Sequence, residues 1–319
     1  MGPDAFYSRS SQGCQTIETE RLSPRYSGID LWDSSDVLDT MIEGQFAAIA
    51  AVRAARPAIA AAAEAMEARL KPGGRLVYAG AGTSGRLAVQ DGAELMPTFS
   101  WPAERLLLLI AGGRDALTQA VEGAEDGIEH ALDVMRRHRI AAADVLIAVA
   151  ASGTTPFTLA CLREARRQGA LTIGIANNNG TPLLTEAEHP IFLDTGPEPI
   201  AGSTRMKAGT AQRATLNLLS SLLMIRLGRV HDGMMVDVQA TNRKLEQRSE
   251  TMLAHLTGRS AAELRQALAH ASGNVKLAVL LLQGADLKSA KAALDQSDGR
   301  LRAAMALLDR QRENPNAPH

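Results

Sequence analysis

The sequence is poor in cysteine and in aromatic residues. Its 319 residues include two cysteines, Cys14 and Cys161, and aromatic side chains make up 3% of the chain. Two distant cysteines exclude a disulfide-dense scaffold and fit a reducing compartment, so we expect a cytoplasmic protein. So few aromatic rings leave little on which nucleic-acid bases could stack.

The chain also lacks an excess of charge and a long apolar run. Its 34 basic and 35 acidic residues give a net charge of -1, which provides no electrostatic footprint for nucleic acid or for an anionic membrane surface. Residues 1–21 contain no apolar segment typical of secretion signals, and no stretch reaches the length of a membrane span. We therefore expect no nucleic-acid partner and no membrane association.

Apolar periodicity divides the chain into four predicted regions. An extended N-terminal arm covers residues 1–35, and an N-terminal helix covers residues 36–57. Helical spacing continues to about residue 70, which predicts one long helix that runs on into the next region. An α/β domain is predicted over residues 58–233, and a small helical domain over residues 234–319.

Five short apolar runs are typical of buried strands, and most are followed by a turn and a helical pattern. This alternation predicts a three-layer α/β sandwich with a five-stranded parallel sheet. After the last run, helical spacing from Met206 to Leu227 predicts a buried helix lying on the sheet. The predicted strands are residues 75–79, 105–111, 144–150, 171–175 and 191–193.

The turn after the first predicted strand reads Gly-Ala-Gly-Thr-Ser-Gly at residues 80–85 and formally matches a dinucleotide-binding fingerprint. Such a site needs an acidic residue at the end of the second strand, and residues 109–113 contain none. A nucleotide-triphosphate loop would need a lysine that is absent from this turn. The hydroxyls of Thr83 and Ser84 at a helix start instead suit a compact phosphate monoester, although a simple helix cap is the alternative.

A second hydroxyl-rich turn follows the third predicted strand, with Ser152, Thr154 and Thr155 ahead of Pro156. Because the carboxyl ends of parallel strands meet at one edge of a sheet, both turns are predicted to border a single crevice. There, neutral hydroxyls and helix dipoles would hold the phosphate.

A third hydroxyl-rich helix start lies at residues 202–210 and carries Arg205 and Lys207 near its first turn. The helix dipole disfavours cations there, so they indicate an anionic partner or an intersubunit contact. The alternative is that both cations are simply solvated at the surface. The seven histidines show no short His or Cys spacing of the kind zinc uses, so we expect no metal and no cofactor.

These turns resemble those of the sugar isomerase (SIS) domain, a five-stranded module that binds sugar phosphates, over roughly residues 58–228. In that superfamily the turns rich in serine and threonine hold the phosphate. The resemblance implies a small-molecule sugar phosphate as the partner. The candidate substrate-binding residues are Thr83, Ser84, Gly85, Ser152, Gly153, Thr154, Thr155, Ser203, Lys207 and Glu198.

The resemblance narrows to the N-acetylmuramic acid 6-phosphate etherase family through motifs in a fixed order. The sequence departs from many relatives at Leu95 and Met96, where they carry Cys-Pro, and at Thr154, where they often carry a basic residue. The N-terminal arm, with Thr19 and Asp30, is also similar to the start of the family. The matching motifs are residues 80–87, 121–126, 202–212, 235–237, 240–242 and 244–245.

The resemblance implies a lyase that works with two carboxyl groups. An alkyl ether at C3 of an opened sugar lies beta to the C1 aldehyde, so one carboxylate can remove the C2 proton while a protonated carboxyl protonates the departing lactate. By resemblance, Glu94 is the proton donor and Glu125 is the general base, each on a helix. Without the resemblance, each would be interpreted as a solvated surface glutamate.

Two other functions remain open on the residues alone. One is a non-catalytic sugar-phosphate sensor similar to glucokinase regulatory proteins, against which the retained glutamates argue. The other is an aldose-ketose isomerase, which would need no acid for a leaving group. We expect a homodimer in each case, with the C-terminal helices supporting dimerisation or shielding the cleft.

Overall fold

A computed structural model describes residues 17–238 and 243–313. Cys14, Thr241 and Asn242 therefore lie outside the described residues. Within the described ranges, the N-terminal arm is not extended throughout, because it contains three one-turn 3-10 helices at Glu18–Glu20, Pro24–Tyr26 and Ile29–Leu31.

The prediction of one long helix after the arm is wrong. The chain forms α1 over Ser34–Ala54 and α2 over Arg56–Leu70, which meet at an angle of 54°. Pro57 lies in the first turn of α2, where its missing N–H costs nothing, but it could not continue the hydrogen bonds of α1. Within the described residues, no single helix is long and apolar enough to cross a membrane, whereas α1 and α2 meet that criterion only as this bent pair.

The predicted five-stranded parallel sheet is confirmed. Its strand order is β2-β1-β3-β4-β5, and every neighbouring pair is parallel. Because β1 lies between β2 and β3, the chain changes direction across the sheet at β1, and the crevice beyond the ends of β1 and β3 is where such sheets bind ligands. The strands are β1 Leu76–Gly80, β2 Leu106–Ile110, β3 Val145–Val149, β4 Leu171–Ala176 and β5 His189–Phe192.

Helices cover both faces of the sheet and confirm the three-layer sandwich. Alternate residues of a strand point to opposite faces, so Tyr78 packs with α1, α2, α3 and α7, while Val77 and Ala79 pack with α4, α5 and α6. Cys161 is buried in the second of these layers, and burial raises the pKa of its thiol to about 12. These helices are α3 Gly82–Phe99, α4 Ile128–Arg137, α5 Pro156–Arg167, α6 Pro182–Glu186 and α7 Lys207–Arg226.

The predicted C-terminal helical domain is also confirmed, with an apolar core of its own. Ion pairs attach it to the sheet domain, since Lys71 lies 2.8 Å from Asp298 and Arg300 pairs with Glu67. Its helices are α8 Arg243–Thr257, α9 Ala261–His270, α10 Val275–Leu282, α11 Leu287–Gln296 and α12 Leu301–Glu313.

Truncating a buried leucine of α7 is expected to destabilise the fold. Leu219 is fully buried in the core between α7 and the sheet, so Leu219→Ala should lower the free energy of unfolding by about 2–5 kcal/mol through lost burial and a cavity. Leu22 is 83% exposed, and Leu22→Ala should change that free energy by less than about 0.5 kcal/mol. Urea unfolding followed by circular dichroism measures both, and equal losses would contradict a packed core at Leu219.

Candidate functional site

The first glycine-rich turn brings the N-terminus of α3 into contact with the end of β1. A Cβ atom on Gly85 would lie 2.8 Å from the carbonyl oxygen of Gly80, and one on Gly80 would lie 2.9 Å from the Cα atom of Gly85. Both positions therefore require glycine, and Gly85 has a packing role whether or not it touches a ligand. The contact places the first turn of α3, whose N–H groups lack partners within the helix, at the carboxyl end of β1.

Thr83 and Glu125 line the same cavity, which has a volume of about 430 Å³. Thr83 lies in the first turn of α3, and Glu125 lies in the segment between β2 and α4. The prediction that Glu125 lies on the helix after the second strand is wrong, because Glu125 precedes α4 and lies on the one-turn 3-10 helix Ala124–Asp126. Gly123, at a φ of 68°, turns the chain into that helix.

Arg86 holds the loop that forms one wall of this cavity. Its Nε donates to the carbonyl oxygen of Ala116 at 2.8 Å, and its Nη2 donates to that of Gln119 at 3.2 Å. Sequence reasoning assigned no role to Arg86, although it lies within the first family motif. Its position one turn after Thr83 was the signal that could have identified it.

The second turn follows β3, the neighbour of β1, so both predicted phosphate turns lie at the same edge of the sheet. Gly80 at the end of β1 is paired with Val149 at the end of β3. Within the second turn, the Ser152 hydroxyl accepts the N–H of Thr154 at 3.2 Å and lies 3.3 Å from the Thr155 hydroxyl. The turn is thus ordered by its own hydroxyls, ahead of α5.

Gly153, at a φ of 71°, lets this second turn approach the loop after β4. A Cβ atom there would lie 2.0 Å from the Thr181 hydroxyl oxygen, so no larger residue fits. The side chains on either side of it differ in exposure: Ser152 and Thr155 are half-buried, whereas Thr154 is exposed.

Asn178 ties the N-terminal arm to the second turn, a role that sequence reasoning missed. Its side-chain amide donates to the carbonyl oxygen of Ala151 at 2.8 Å and to the Thr19 hydroxyl at 3.0 Å. Its side-chain oxygen accepts the N–H of Thr19 at 3.2 Å, and both residues are buried. The run of three asparagines after β4 was the available signal, because such residues bond to nearby backbone.

Glu198 and Lys207, two predicted substrate contacts, are buried and bonded to the protein itself. The Glu198 carboxylate accepts the N–H groups of Lys207 at 3.0 Å and of Ala208 at 2.9 Å, so it caps the N-terminus of α7. The Lys207 ammonium donates to the carbonyl oxygen of Thr195 at 2.8 Å. Burial raises the pKa of Glu198 and lowers that of Lys207. An anionic partner is therefore not needed to explain a lysine at this helix start.

Glu94 lies in a different place from the other candidates. It is exposed on α3, where it lines a cavity of about 160 Å³ together with Arg213 and Asn217 of α7. None of the residues that line this cavity also lines the cavity of Thr83 and Glu125. The structure therefore brings Glu125 to Thr83 in the first hydroxyl-rich turn and leaves Glu94 apart from both.

Asp91, one turn before Glu94, fixes this part of α3 to its neighbours. Its carboxylate accepts the Tyr78 hydroxyl of β1 at 2.8 Å and the Ser220 hydroxyl of α7 at 3.1 Å. Burial raises the pKa of Asp91, and the two hydroxyl donors oppose that shift. Glu94 is consequently held on a rigid segment.

Among the described residues, no group of three or more His, Cys, Asp or Glu side chains could hold a metal ion.

Two family models match the part of the chain that carries both turns. Residues 58–166 match the glucokinase regulatory protein N-terminal SIS domain, and residues 125–222 match the SIS domain. Together with the five-stranded sheet and its hydroxyl-rich turns, these matches define a SIS-domain protein.

Close relatives give the particular family. The chain is 49% identical over 288 residues to an N-acetylmuramic acid 6-phosphate etherase of Deinococcus radiodurans, covering 90% of this chain and 94% of that protein. It is 44% identical over 298 residues to the protein of the same name from Streptomyces avermitilis, covering 93% of this chain and 96% of that one. The chain belongs to the N-acetylmuramic acid 6-phosphate etherase family, which confirms the resemblance seen in the sequence.

Removing the Asn178 side chain is expected to loosen the arm and the second turn together. Asn178→Ala should cost about 1–3 kcal/mol of unfolding free energy, because it leaves buried polar groups without partners. The cleavage by trypsin after Arg21 should also become faster as the arm is released. Asn179→Ala is the matched control, since Asn179 is exposed. Unchanged stability and trypsin cleavage in Asn178→Ala would contradict this role.

Proposed function

We propose that this protein is itself an N-acetylmuramic acid 6-phosphate etherase. It would convert N-acetylmuramate 6-phosphate and water into N-acetylglucosamine 6-phosphate and D-lactate, in the recycling of cell-wall amino sugars. The observation that supports the proposal is that Thr83, in the first turn of α3, and the carboxylate of Glu125 line the same cavity. The names of the relatives that cover almost the whole chain support the same reaction.

The proposed chemistry is elimination followed by addition of water. Glu125 removes the C2 proton of the opened sugar, whose acidity comes from the C1 aldehyde, and the electron pair forms a double bond as the C3–O bond breaks. Glu94, in its protonated form, gives its proton to the lactate oxygen that leaves. Water then adds at C3, and C2 regains a proton, which restores the sugar.

Phosphate recognition is proposed to depend on hydroxyls and helix dipoles. Thr83 and Ser84 belong to the first turn of α3, a helix of 18 residues, whose N-terminal N–H groups and dipole favour an anion. Ser152, Thr154 and Thr155 serve the N-terminus of α5 in the same way. Both helix starts lie at one edge of the sheet, at the position where such sheets bind ligands.

The third helix start is proposed to contribute to substrate binding through Ser203, which is half-buried ahead of α7. Glu198 and Lys207 would have to leave their present partners to touch a substrate. Their present role, capping α7 and binding the carbonyl of Thr195, instead holds the loop that carries Ser203.

We also propose a cytoplasmic location and a homodimer. A doubly charged phosphate monoester does not cross a bilayer unaided, so the enzyme would work on the side of the membrane where its substrate is formed, which we propose is the cytoplasm. Large exposed apolar side chains on α1, among them Phe46 at 72% exposure, support self-association.

A non-catalytic sugar-phosphate sensor is not favoured. The relatives that match most of this chain are named etherases, and the chain carries both Glu94 and Glu125. An aldose-ketose isomerase would leave the lactyl ether unbroken, so the identity of the product separates it from the etherase.

Replacing Glu125 is expected to stop the reaction without preventing phosphate binding. Glu125→Gln should lower lactate release by about 10²–10⁴-fold, the usual contribution of a placed acid or base. Glu129→Gln is the matched control, because Glu129 is exposed on the next helix and lines neither cavity. Lactate release and sugar-phosphate binding are measured for both variants. A Glu125→Gln enzyme with the wild-type rate would remove Glu125 from the mechanism.

Turnover in deuterated water tests the reaction type. Elimination and addition replace the C2 proton, so the N-acetylglucosamine 6-phosphate should carry deuterium at C2, in step with lactate formation. Mass spectrometry and a lactate assay measure the two products. Absence of lactate from wild-type enzyme would overturn the proposed function, and lactate without deuterium at C2 would overturn elimination as its route.

A further inference from the structure

Thr19 is the buried residue of the first 3-10 helix in the N-terminal arm. Its exposed fraction is 0%, whereas Glu18 is half-buried and Glu20 is exposed. Threonine is mostly found at protein surfaces, and a buried polar residue is held by hydrogen bonds. The hydrogen bonds of Thr19 lead to two of the three hydroxyl-rich helix starts.

On one side, Thr19 is bonded to the residue that holds the second turn. Its N–H donates to the side-chain oxygen of Asn178 at 3.2 Å, and its hydroxyl accepts the side-chain amide of Asn178 at 3.0 Å. The same amide donates to the carbonyl oxygen of Ala151 at 2.8 Å, and Ala151 directly precedes Ser152. One side chain therefore connects Thr19 to the backbone of the second turn.

On the other side, Thr19 is bonded to the loop ahead of α7. Its carbonyl oxygen accepts the N–H of Gly202 at 3.1 Å, and Gly202 directly precedes Ser203. Gly202 has a φ of 75°, and a Cβ atom there would lie 2.7 Å from Oε2 of Glu20. Glycine at this position therefore permits the arm to approach the loop.

The other contacts of this loop do not set its distance from the second turn. Helix α7 itself is fixed by Gln212, whose side-chain amide donates to the side-chain oxygen of Asn177 at 2.9 Å. Within the loop, the N–H of Ser203 bonds to the carbonyl oxygen of Ile200. Among the described residues, the bond to Thr19 is the one backbone hydrogen bond that joins residues 200–206 to a segment outside the loop and α7.

The arm also lines the space beside the second turn. Ile17 and Glu18 line a cavity of about 360 Å³ together with Thr154 and Asn179. Thr154 is exposed and is one of the predicted substrate contacts. The arm therefore belongs to the surroundings of the proposed substrate site.

We propose that Thr19 is a positioning residue of the substrate site. Through its hydrogen bonds to Asn178 and Gly202 it sets the separation of Ser152 and Ser203, so that both reach one bound sugar phosphate. This inference rests on the proposed function and adds to it a role for the N-terminal arm. Thr19 acts through these turns, so it affects substrate binding and not the proton transfers.

The first test is the steady-state kinetics of lactate release by Thr19→Val. Valine keeps the shape of the side chain and removes the hydroxyl that accepts from Asn178. Weaker binding that affects the ground state and the transition state equally raises KM and leaves kcat unchanged. We expect a KM about three- to tenfold higher, the usual effect of one hydrogen bond, with kcat within about twofold. Thr19→Ser keeps the hydroxyl and should restore the wild-type KM.

The matched control is Thr172→Val, which also removes the hydroxyl of a fully buried threonine. The Thr172 hydroxyl accepts the N–H of Glu188 at 3.1 Å, near the amino end of β4 and so at the edge of the sheet opposite the turns. This variant should lose unfolding free energy to a similar extent as Thr19→Val, as measured by urea unfolding. Its KM should stay at the wild-type value, which separates positioning from general stability.

The second test needs no substitution, because coupling between two sites is reciprocal. If Thr19 links the arm to the turns, a ligand in the site holds the arm in place. Saturating N-acetylglucosamine 6-phosphate should slow the cleavage of wild-type protein by trypsin after Arg21 by about three- to tenfold, provided that cleavage follows the opening of the arm. Cleavage after Arg259, which is exposed between α8 and α9, is the control and should not change. Mass spectrometry follows both cleavages.

Four results would overturn the inference while leaving the proposed function intact. These are a wild-type KM in Thr19→Val, an equal rise in KM in Thr172→Val, a serine variant as impaired as the valine variant, or a cleavage rate after Arg21 that the sugar phosphate does not change. Wild-type protein that binds the sugar phosphate and releases no lactate from N-acetylmuramate 6-phosphate would instead overturn the proposed function. The two failures are therefore distinguishable.

Discussion

The contact between Gly80 and Gly85 is the constraint on which the rest of the site depends. Two backbone segments approach so closely there that a single Cβ atom would force them apart. That approach sets the origin and direction of α3 relative to the sheet. It therefore decides where the N-terminal dipole of α3 points, which cavity Thr83 lines and where Glu94 lies on the far part of the same helix.

The starts of α5 and α7 are held by neutral side chains or by pairs of opposite charge within the protein. Asn178 fixes the backbone just before Ser152 and binds the arm through Thr19. Glu198 caps α7, and its charge lies close to that of Lys207. The first two hydroxyl-rich turns carry no lysine or arginine, and Arg86, which follows the first of them, is bound to the loop after β2.

The interface between the sheet domain and the C-terminal helical domain differs from the hydroxyl-rich turns, because it is rich in charged side chains. Arg105 and Arg229 both lie over the ring of Trp101, a fully buried side chain, at 4.5 and 5.2 Å from its centroid. Arg229 also pairs with Asp237 across this interface at 3.5 Å, and Lys276 of α10 pairs with the same carboxylate at 2.6 Å. Breaking a partly buried ion pair leaves a charge without its partner, so these pairs oppose separation of the helical domain from the sheet domain.

Local patterns in the sequence were sufficient for the elements of the fold. The five strands and the C-terminal helices were predicted, because alternation and helical spacing are properties of neighbouring residues. The break at Ala55 was missed, although Pro57 was visible, because the apolar spacing continues through it. The 3-10 turn that carries Glu125 was also missed, since a single turn is too short to have a period.

The sequence by itself determined the five-stranded sheet and the family, because strand and helix spacing are local patterns and the family motifs lie in a fixed order; it predicted a phosphate site at the hydroxyl-rich turns and pointed to Glu94 and Glu125. Only the tertiary structure decided which of these residues meet. It brought Glu125 to Thr83 and separated Glu94 from both, and it buried Lys207 beside Glu198. The physical reason is that proximity depends on helix direction, close backbone contacts and the packing of α7 on α3, which are long-range properties that no local spacing contains.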